Sequence, residues 1–532
     1  TEEGAGGIGA ADHPAGANHP PETFPHARMQ PADLLAFGAD DNGNAEAMRV
    51  LYGDQFIYSS AFGWLGWTGT HWKAGADAAM VRAAIQTLKC RRSAAVAAQT
   101  PGKRNLEDII RATTPNEHRI RGCTTLFRAY VTEPDADTFD ADPDLLNCRN
   151  GVLNLQTGTL SQHCPRQRFT YVLPVAYDPE ADTAIWHDFI HEATGQDEAV
   201  THFIQQCIGY SLTGHTREEK LFYLYGPLRA GKGCFTETLL ALLPRPLGTE
   251  ADFNTFTAKR EADTQSFDMA PLKPARLVIA SESNRYQSLN PAKIKHVTGG
   301  NLITCAFKHR DMFTYRPQYK VWLVSNHEVN GDPDDDALWG RVLVIRFPRS
   351  HLGTEDTSLK HRLRSPEGLQ GLLRWAVEGA LAWYRQDRLE PPAAVVMETR
   401  RQRTAQDYVG QWLSECCVLS ACGDDATAWA ASAKLMSSYR DWCQSNNIRP
   451  VAARELGSTL SKRFGRAPGR HGHEGTRGFC GIAIRAADPP VRTADTADSS
   501  IRESPYTRAI WSKTPPVASA VSAVSTASVT GP

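Results

Sequence analysis

The stretch LFYLYGPLRAGKGCFTETLLALL, residues 221–243, decides the fold. Leu221 to Tyr225 is a short continuous apolar run, which suits a strand buried on both faces. Gly226 to Lys232 follows with the spacing Gly-x4-Gly-Lys, in which glycines let backbone N–H groups wrap phosphates and the lysine reaches the outer ones. TETLLALL then reads as a helix whose positive end faces the loop. Strand, glycine loop and helix in this order are the context the spacing needs. Gly226, Pro227, Leu228, Arg229, Ala230, Gly231, Lys232, Gly233 and Cys234 are therefore read as a nucleotide-binding loop, with a fortuitous glycine-rich turn as the alternative. One position departs from the usual pattern. Gly233 stands where a Ser or Thr hydroxyl normally ligates Mg²⁺, and the next residue, Cys234, offers a thiol that suits a hard ion poorly. The ion would then depend on phosphate oxygens, water and carboxylates, or on Thr236 or Thr238.

Three further apolar runs lie downstream. ARLVIASE, residues 275–282, is a strand ending in a carboxylate. In a P-loop NTPase such a strand aims its acid at the metal and the attacking water, so Glu282 is the candidate general base and metal ligand, with Ser281 beside it. KVWLVSN, residues 320–326, ends in Asn326, a polar group suited to orienting water or a phosphate. RVLVIRF, residues 341–347, opens on Arg341, which could act on a neighbouring subunit's nucleotide. The candidate catalytic set is Lys232, Glu282, Asn326 and Arg341. The plain readings against it are a solvated Glu at a strand end, a buried Asn serving backbone groups and an Arg in a salt bridge.

Two segments carry local basic charge. NLITCAFKHRDMFTYRPQYK, residues 301–320, reads as a β-hairpin with Lys308, His309 and Arg310 at its tip, and Lys295 lies just before it. KRFGRAPGRHGHEGTR, residues 462–477, is a basic glycine-rich loop after a helix over 455–462. It suits a wing lying on duplex phosphates, with Lys462, Arg463, Arg466 and Arg470 as contacts. Such patches are needed because the whole chain has 58 Lys+Arg against 59 Asp+Glu, a net charge of −1, and so no overall pull toward nucleic acid. Trp64, Trp67 and Trp72 could stack bases, but packing in a small sheet accounts for them more simply.

The composition is that of a globular protein, with 41% apolar and 22% charged residues. No run approaches the 18 or so apolar residues of a membrane span, and no signal peptide is expected at the start. Twelve cysteines in 532 residues are too few for a disulfide scaffold and lack zinc spacing, which points to a reducing, cytoplasmic setting.

The order of these segments (P-loop, LVIASE, TGG, the Lys-His-Arg hairpin, KVWLVSN, WGRVLVIRF) resembles the superfamily-3 helicase domain of phage and plasmid primase–helicase proteins, related to the poxvirus-type NTPase. GWLGWTGTHW and LLNCRNGVLNLQTGTL upstream look like the N-terminal domain of that family. The resemblance implies an α/β fold with an AAA+ P-loop NTPase core, ATP and Mg²⁺ as cofactors, a homo-hexameric ring, and unwinding of forked DNA over a threaded single strand during replication of a mobile element. It casts Arg341 as the finger and the 308–310 tip as the strand grip. Gly233 also occurs in this branch, whereas Asn301 replaces an acid that often follows TGG. No primase domain is expected, because residues 1–40 are too few and too poorly patterned, so a separate primase or polymerase is a possible partner. The expected layout is an unstructured segment at 1–40, a small α+β N-terminal domain at 41–182, a helical connector at 183–215, the core at 216–364, a helical segment at 365–403, a winged-helix-like DNA-binding domain at 404–487 and an unstructured tail at 488–532. The competing functions are a P-loop phosphotransferase and a nucleotide-binding DNA-assembly factor without unwinding activity.

Overall fold

The computed structural model describes residues 31–98, 104–258, 267–282, 288–306, 312–420, 428–466, 468–471 and 475–485. They fall into two compact units that divide between Thr404 and Ala405. The tails expected at 1–40 and 488–532 lie outside the described residues, except for 31–40. That stretch is ordered, contrary to the expectation from composition. Pro31–Ala36 is a 3-10 helix, and Asp40 caps α1 (Asp41–Tyr52) by accepting from the Gly43 N–H. The cause lies far along the chain. After the antiparallel meander β1 (Phe56–Ser59), β2 (Gly63–Trp67) and β3 (Trp72–Ala74) comes α2 (Asp77–Ala97), which carries Arg91. This guanidinium is fully buried and donates to the carbonyls of Leu34 (3.0 Å), Phe37 (2.8 Å) and Gly38 (3.0 Å) and to Asn44 Oδ1 (2.6 Å). A buried cation needs its donors satisfied, so it fixes a segment that has almost no apolar pattern of its own.

Helices α3 (Arg104–Ala112) and α4 (Glu117–Val131) complete this part. Trp64 stacks on Phe127 with ring centroids 5.9 Å apart and 5° between planes, and the Trp72 indole donates to Pro165 O at 2.8 Å. Both are buried, as packing requires. A second small sheet, β4 (Leu145–Cys148), β5 (Gly151–Asn154) and β6 (Leu160–Ser161), is antiparallel. Its buried Leu146, Val152 and Leu153 belong to one hydrophobic core with α5 (Ala184–Ala193), α6 (Glu198–Leu212) and the central sheet. A boundary at 182 therefore divides one core, and residues 183–215 are part of its packing rather than a connector.

The central sheet is built from β7 (Leu221–Tyr225), β8 (Gly248–Glu250), β9 (Leu277–Ser281), β12 (Lys320–Ser325) and β13 (Val342–Arg346), with the hairpin β10 (Ile303–Ala306) and β11 (Met312–Tyr315) standing outside it. All five strands are parallel, in the order β13-β7-β12-β9-β8. Side-chain alternation explains the continuous apolar runs. Phe222, Leu224, Trp322 and Val324 face one core, while Leu221, Tyr223, Val321 and Leu323 face the other. Helices α7 (Lys232–Leu242), α8 (Pro291–Thr298) and α9 (Asp336–Trp339) connect the strands, and α10 (Leu359–Leu363), α11 (Pro366–Gln386) and α12 (Ala393–Ala405) follow. On α12, Thr399 accepts from the Val344 N–H at 3.0 Å, which covers part of the exposed edge of β13.

Two buried cations tie the start of the sheet to what precedes it. Arg276 donates to the carbonyls of Leu145 (2.8 Å), Leu212 (2.8 Å) and Asp142 (2.6 Å). Lys320 donates to the carbonyls of Thr213, His215 (3.3 Å) and Gln318 (3.1 Å), and burial pushes its pKa well below the usual lysine range. Leu212 is the last residue of α6 and Thr213 caps it, so both cations meet carbonyls that the helix leaves without partners.

The second unit has its own core of Trp412, Leu435, Tyr439, Leu456, Leu460, Phe479 and Ile482. It comprises α13 (Tyr408–Cys416), β14 (Cys417–Leu419), β15 (Trp429–Ala431), α14 (Ser432–Ser445), α15 (Ala453–Lys462), β16 (Pro468–His471), β17 (Thr476–Cys480) and β18 (Ile482–Ile484). β16 and β17 form an antiparallel hairpin after α15, with β15 on the other side of β17, and β14 pairs with β18. Among the described residues no helix is long and apolar enough to cross a membrane.

Candidate functional site

The candidate residues converge because β12 lies between β7 and β9. Parallel strands present their C-terminal ends on one edge, so the loop after β7, the acid after β9 and the polar end of β12 become neighbours. Gly226 leaves β7 pressed against the end of β13, where an added Cβ would lie 2.2 Å from Phe347 O. Gly231 has φ +88°, a left-handed conformation that favours glycine, and from there the chain enters α7 at Lys232. This turn exposes the N-terminal N–H groups of an eleven-residue helix to the loop interior.

Lys232 is 7% exposed. Its ammonium donates to Gly226 O, Pro227 O and Asn326 Oδ1, each at 2.7 Å. Burial pushes its pKa down to about 8. Glu282 directly follows β9, and its backbone N–H donates to Val324 O at 2.8 Å. Its carboxylate accepts from the Ser325 hydroxyl. Lys232, Asn326, Ser325 and Glu282 thus form one polar group across three strand ends. Sequence reasoning passed over Ser325. The only signal for it was its place next to Asn326, one pleat from the acid on the neighbouring strand.

Arg341 is placed elsewhere. It precedes β13, and Val342 pairs with Leu221, so it sits at the opposite end of the sheet from the phosphate loop. Five residues of strand separate the two ends, roughly 16 Å. Its guanidinium pairs with Glu219 at 2.7 Å and donates to Ala337 O at 3.0 Å. It cannot serve the loop of its own chain.

The metal question turns on Gly233. A Cβ there would meet only Glu237 Oε1, at 3.7 Å, so the usual hydroxyl position is open. The two threonines considered as substitutes are engaged: Thr236 donates to the carbonyls of Lys232 (3.2 Å) and Gly233 (3.3 Å), and Thr238 to that of Cys234 (2.8 Å). Ser281 is exposed at the tip of β9 beside Glu282. Among the described residues no cluster of three His, Cys, Asp or Glu could hold a metal alone. Glu282 and Ser281 would be the protein oxygens open to a Mg²⁺, a hard ion that takes oxygen ligands. Sequence reading also missed Lys360 and Arg364, which pair with Glu237 on the loop helix. Burial alone would raise the Glu237 carboxyl, but these two cations outweigh it and hold it below the usual range.

The basic hairpin is present as the antiparallel pair β10–β11, while its tip, Lys308, His309 and Arg310, lies outside the described residues. Lys295 is exposed on α8. In the second unit Lys462 and Arg470 are exposed. Two of the expected contacts are taken up internally instead. Arg463 forms a bidentate pair with Asp407, with Nη1 at 2.7 Å from Oδ1, and Arg466 is 8% exposed and donates to Ser420 O at 2.6 Å. Each fixes a turn around α15, so neither guanidinium is presented to a ligand.

Residues 45–195 match a family described as D5 N terminal like, and residues 224–341 match a family of unknown function, DUF5906. The chain is 25% identical over 337 residues to "Putative helicase L207/L206" of Acanthamoeba polyphaga mimivirus, covering 58% of this chain and 34% of that protein. It is 22% identical over 288 residues to "Putative helicase 022R" of Frog virus 3 (isolate Goorha), covering 50% and 28%. The match thus spans about a third of the length of these curated relatives. Among solved structures, the A form apo structure of the NrS-1 C terminal region overlaps 82% of this chain and 99% of that one, at 9% identity and a TM-score of 0.46. The resemblance read from the motif order is thus supported: residues 45–195 are similar to the D5 N terminal like family, ahead of the parallel sheet with its glycine loop, and the chain is similar to helicase-named proteins of large DNA viruses.

Proposed function

We propose that this chain is an ATP-driven DNA helicase of the superfamily-3 type, acting in the cytoplasm in replication of a phage, plasmid or other mobile element. The observation that carries the reading is the meeting of Lys232, Asn326 and Glu282 at adjacent ends of parallel strands beside a glycine loop. In this reading the five-stranded sheet is an AAA+ core. Loop N–H groups and the Lys232 ammonium hold the triphosphate, Asn326 orients the attacking water, and Glu282 takes its proton. Mg²⁺, when bound, neutralises phosphate charge, with Glu282 and Ser281 contributing oxygens. Arg341 acts on the neighbouring protomer's nucleotide, for which it must leave its pair with Glu219, and its position at the far end of the sheet favours this over action in its own chain. That sharing requires an assembly of several protomers, proposed here as a homo-hexameric ring.

The 308–310 hairpin tip and Lys295 would track the single strand by backbone charge. The second unit would be a winged-helix-like module, supported by helices α13 to α15 followed by the β16–β17 hairpin, with Lys462 and Arg470 on duplex phosphates. A primase or polymerase would be a separate partner. The test is phosphate release by the full chain with and without single-stranded DNA, together with oligomeric state on forked DNA and an ATP analogue. DNA-stimulated turnover that Lys232→Ala abolishes, in a ring, is the expected result. Turnover indifferent to DNA would instead indicate a phosphotransferase, and binding without turnover an assembly factor.

A further inference from the structure

Ser325 ends β12 and is 3% exposed. Its hydroxyl oxygen accepts from the His327 N–H at 2.7 Å, closing a side-chain turn two residues long. Tyr223, on the strand that feeds the phosphate loop, fastens the same turn by donating to His327 O at 3.0 Å. With the oxygen so engaged, the hydroxyl proton is directed to the Glu282 carboxylate. The Glu282 backbone is tied to Val324 O on the same strand. The carboxylate is thus held to β12 at both its backbone and its tip. The next residue, Asn326, holds Lys232. Two consecutive residues therefore grip the two charged groups of the site.

We propose that Ser325 is a positioning residue for ATP cleavage, setting the Glu282 carboxylate at a fixed place relative to Asn326. It rests on Glu282 being the general base. A free glutamate at a strand tip rotates about three bonds, and misplacement of a reacting group by about 1 Å costs up to 10²-fold in rate. A hydrogen bond to a carboxylate from an already oriented hydroxyl removes that freedom without touching the nucleotide. The base and the polar sensor then move as one strand end.

The decisive pair is Ser325→Thr and Ser325→Val, which match in shape and differ in the hydroxyl, measured in the full chain for ATP turnover and for ATP-analogue affinity. Thr should keep most of kcat. Val, like Ser325→Ala, should lower kcat by about 10- to 100-fold with affinity within about twofold. In a Glu282→Gln background, Ser325→Ala should add little further loss, because it acts through that carboxylate. Equal kcat for Thr and Val, or losses that multiply in the double variant, would overturn the assignment while leaving the helicase reading intact. A parent chain that hydrolyses no ATP would overturn both.

Discussion

Lys232 and Asn326 are bonded to each other across the site, Nζ to Oδ1 at 2.7 Å, and two loop carbonyls take the remaining ammonium protons. A phosphate must therefore displace one of these three acceptors before the lysine can serve it, and Asn326 is the one side chain among them. Asn326→Ala should leave ATP affinity equal or up to about fivefold tighter while kcat falls by about 10- to 100-fold. Titration with a fluorescent nucleotide and phosphate release, run on one preparation, separate the two. A parallel loss of both would show that Asn326 only supports the fold.

The lowered pKa of Lys232 gives a pH signature. With a value of about 8 in the empty site, the lysine is charged below that pH and increasingly neutral above it. Nucleotide Kd should be flat at lower pH and rise by up to about tenfold per unit above pH ~8, with proton uptake on binding. Calorimetry in buffers of different ionisation enthalpy measures the uptake. For folding the sign is reversed: the unfolded chain keeps this proton up to about the ordinary 10.5, so between 8 and 10.5 the unfolded state binds more protons, and the group adds stability as pH rises.

Open space beside Gly233 makes Gly233→Ser a gain-of-ligand test. The helix should accept the side chain and gain about 0.5 kcal/mol from a less flexible unfolded chain. The Mg²⁺ concentration for half-maximal turnover should fall several-fold. An unchanged Mg²⁺ requirement would place the ion away from the start of α7.

Arg341→Ala should lower turnover by about 10³-fold or more with nucleotide affinity retained, since the residue lies at the far end of its own sheet. Mixing it with Lys232→Ala protomers, whose Arg341 is intact, should restore activity. Mixed assemblies that stay inactive would confine Arg341 to its pair with Glu219.

The basic residues around α15 should separate by role. Arg463→Ala breaks a largely buried bidentate pair with Asp407 and should cost the second unit about 1–3 kcal/mol in thermal unfolding. Arg470→Ala should leave Tm unchanged, weaken DNA binding across sequences and reduce the salt slope by about one. DNA affinity untouched by Arg470→Ala would remove this hairpin from the interface.

Much of the sheet was legible because strands buried on both faces are apolar at nearly every position, as in residues 221–225, 277–280 and 321–324. β8 escaped because three residues, Gly-Thr-Glu, carry no such signal. The phosphate loop was legible from local spacing alone. What depended on distant partners was not: residues 31–40 are ordered by Arg91, 57 positions from Leu34, and Arg463 is claimed by Asp407, 56 positions away. Ser325 was hidden for the same reason, since its meaning lies in the strand beside it.

The paired cations Arg276 and Lys320 bear on how such chains can be rearranged. Among the described residues, every acceptor of the Arg276 side chain, and all but Gln318 for Lys320, lies before residue 216. A fragment cut there would lose the carbonyls that hold both side chains and the chain that covers them. The upstream segment is thus a structural counterion in peptide form, and the engine and its preface should be inherited, transplanted and truncated only together.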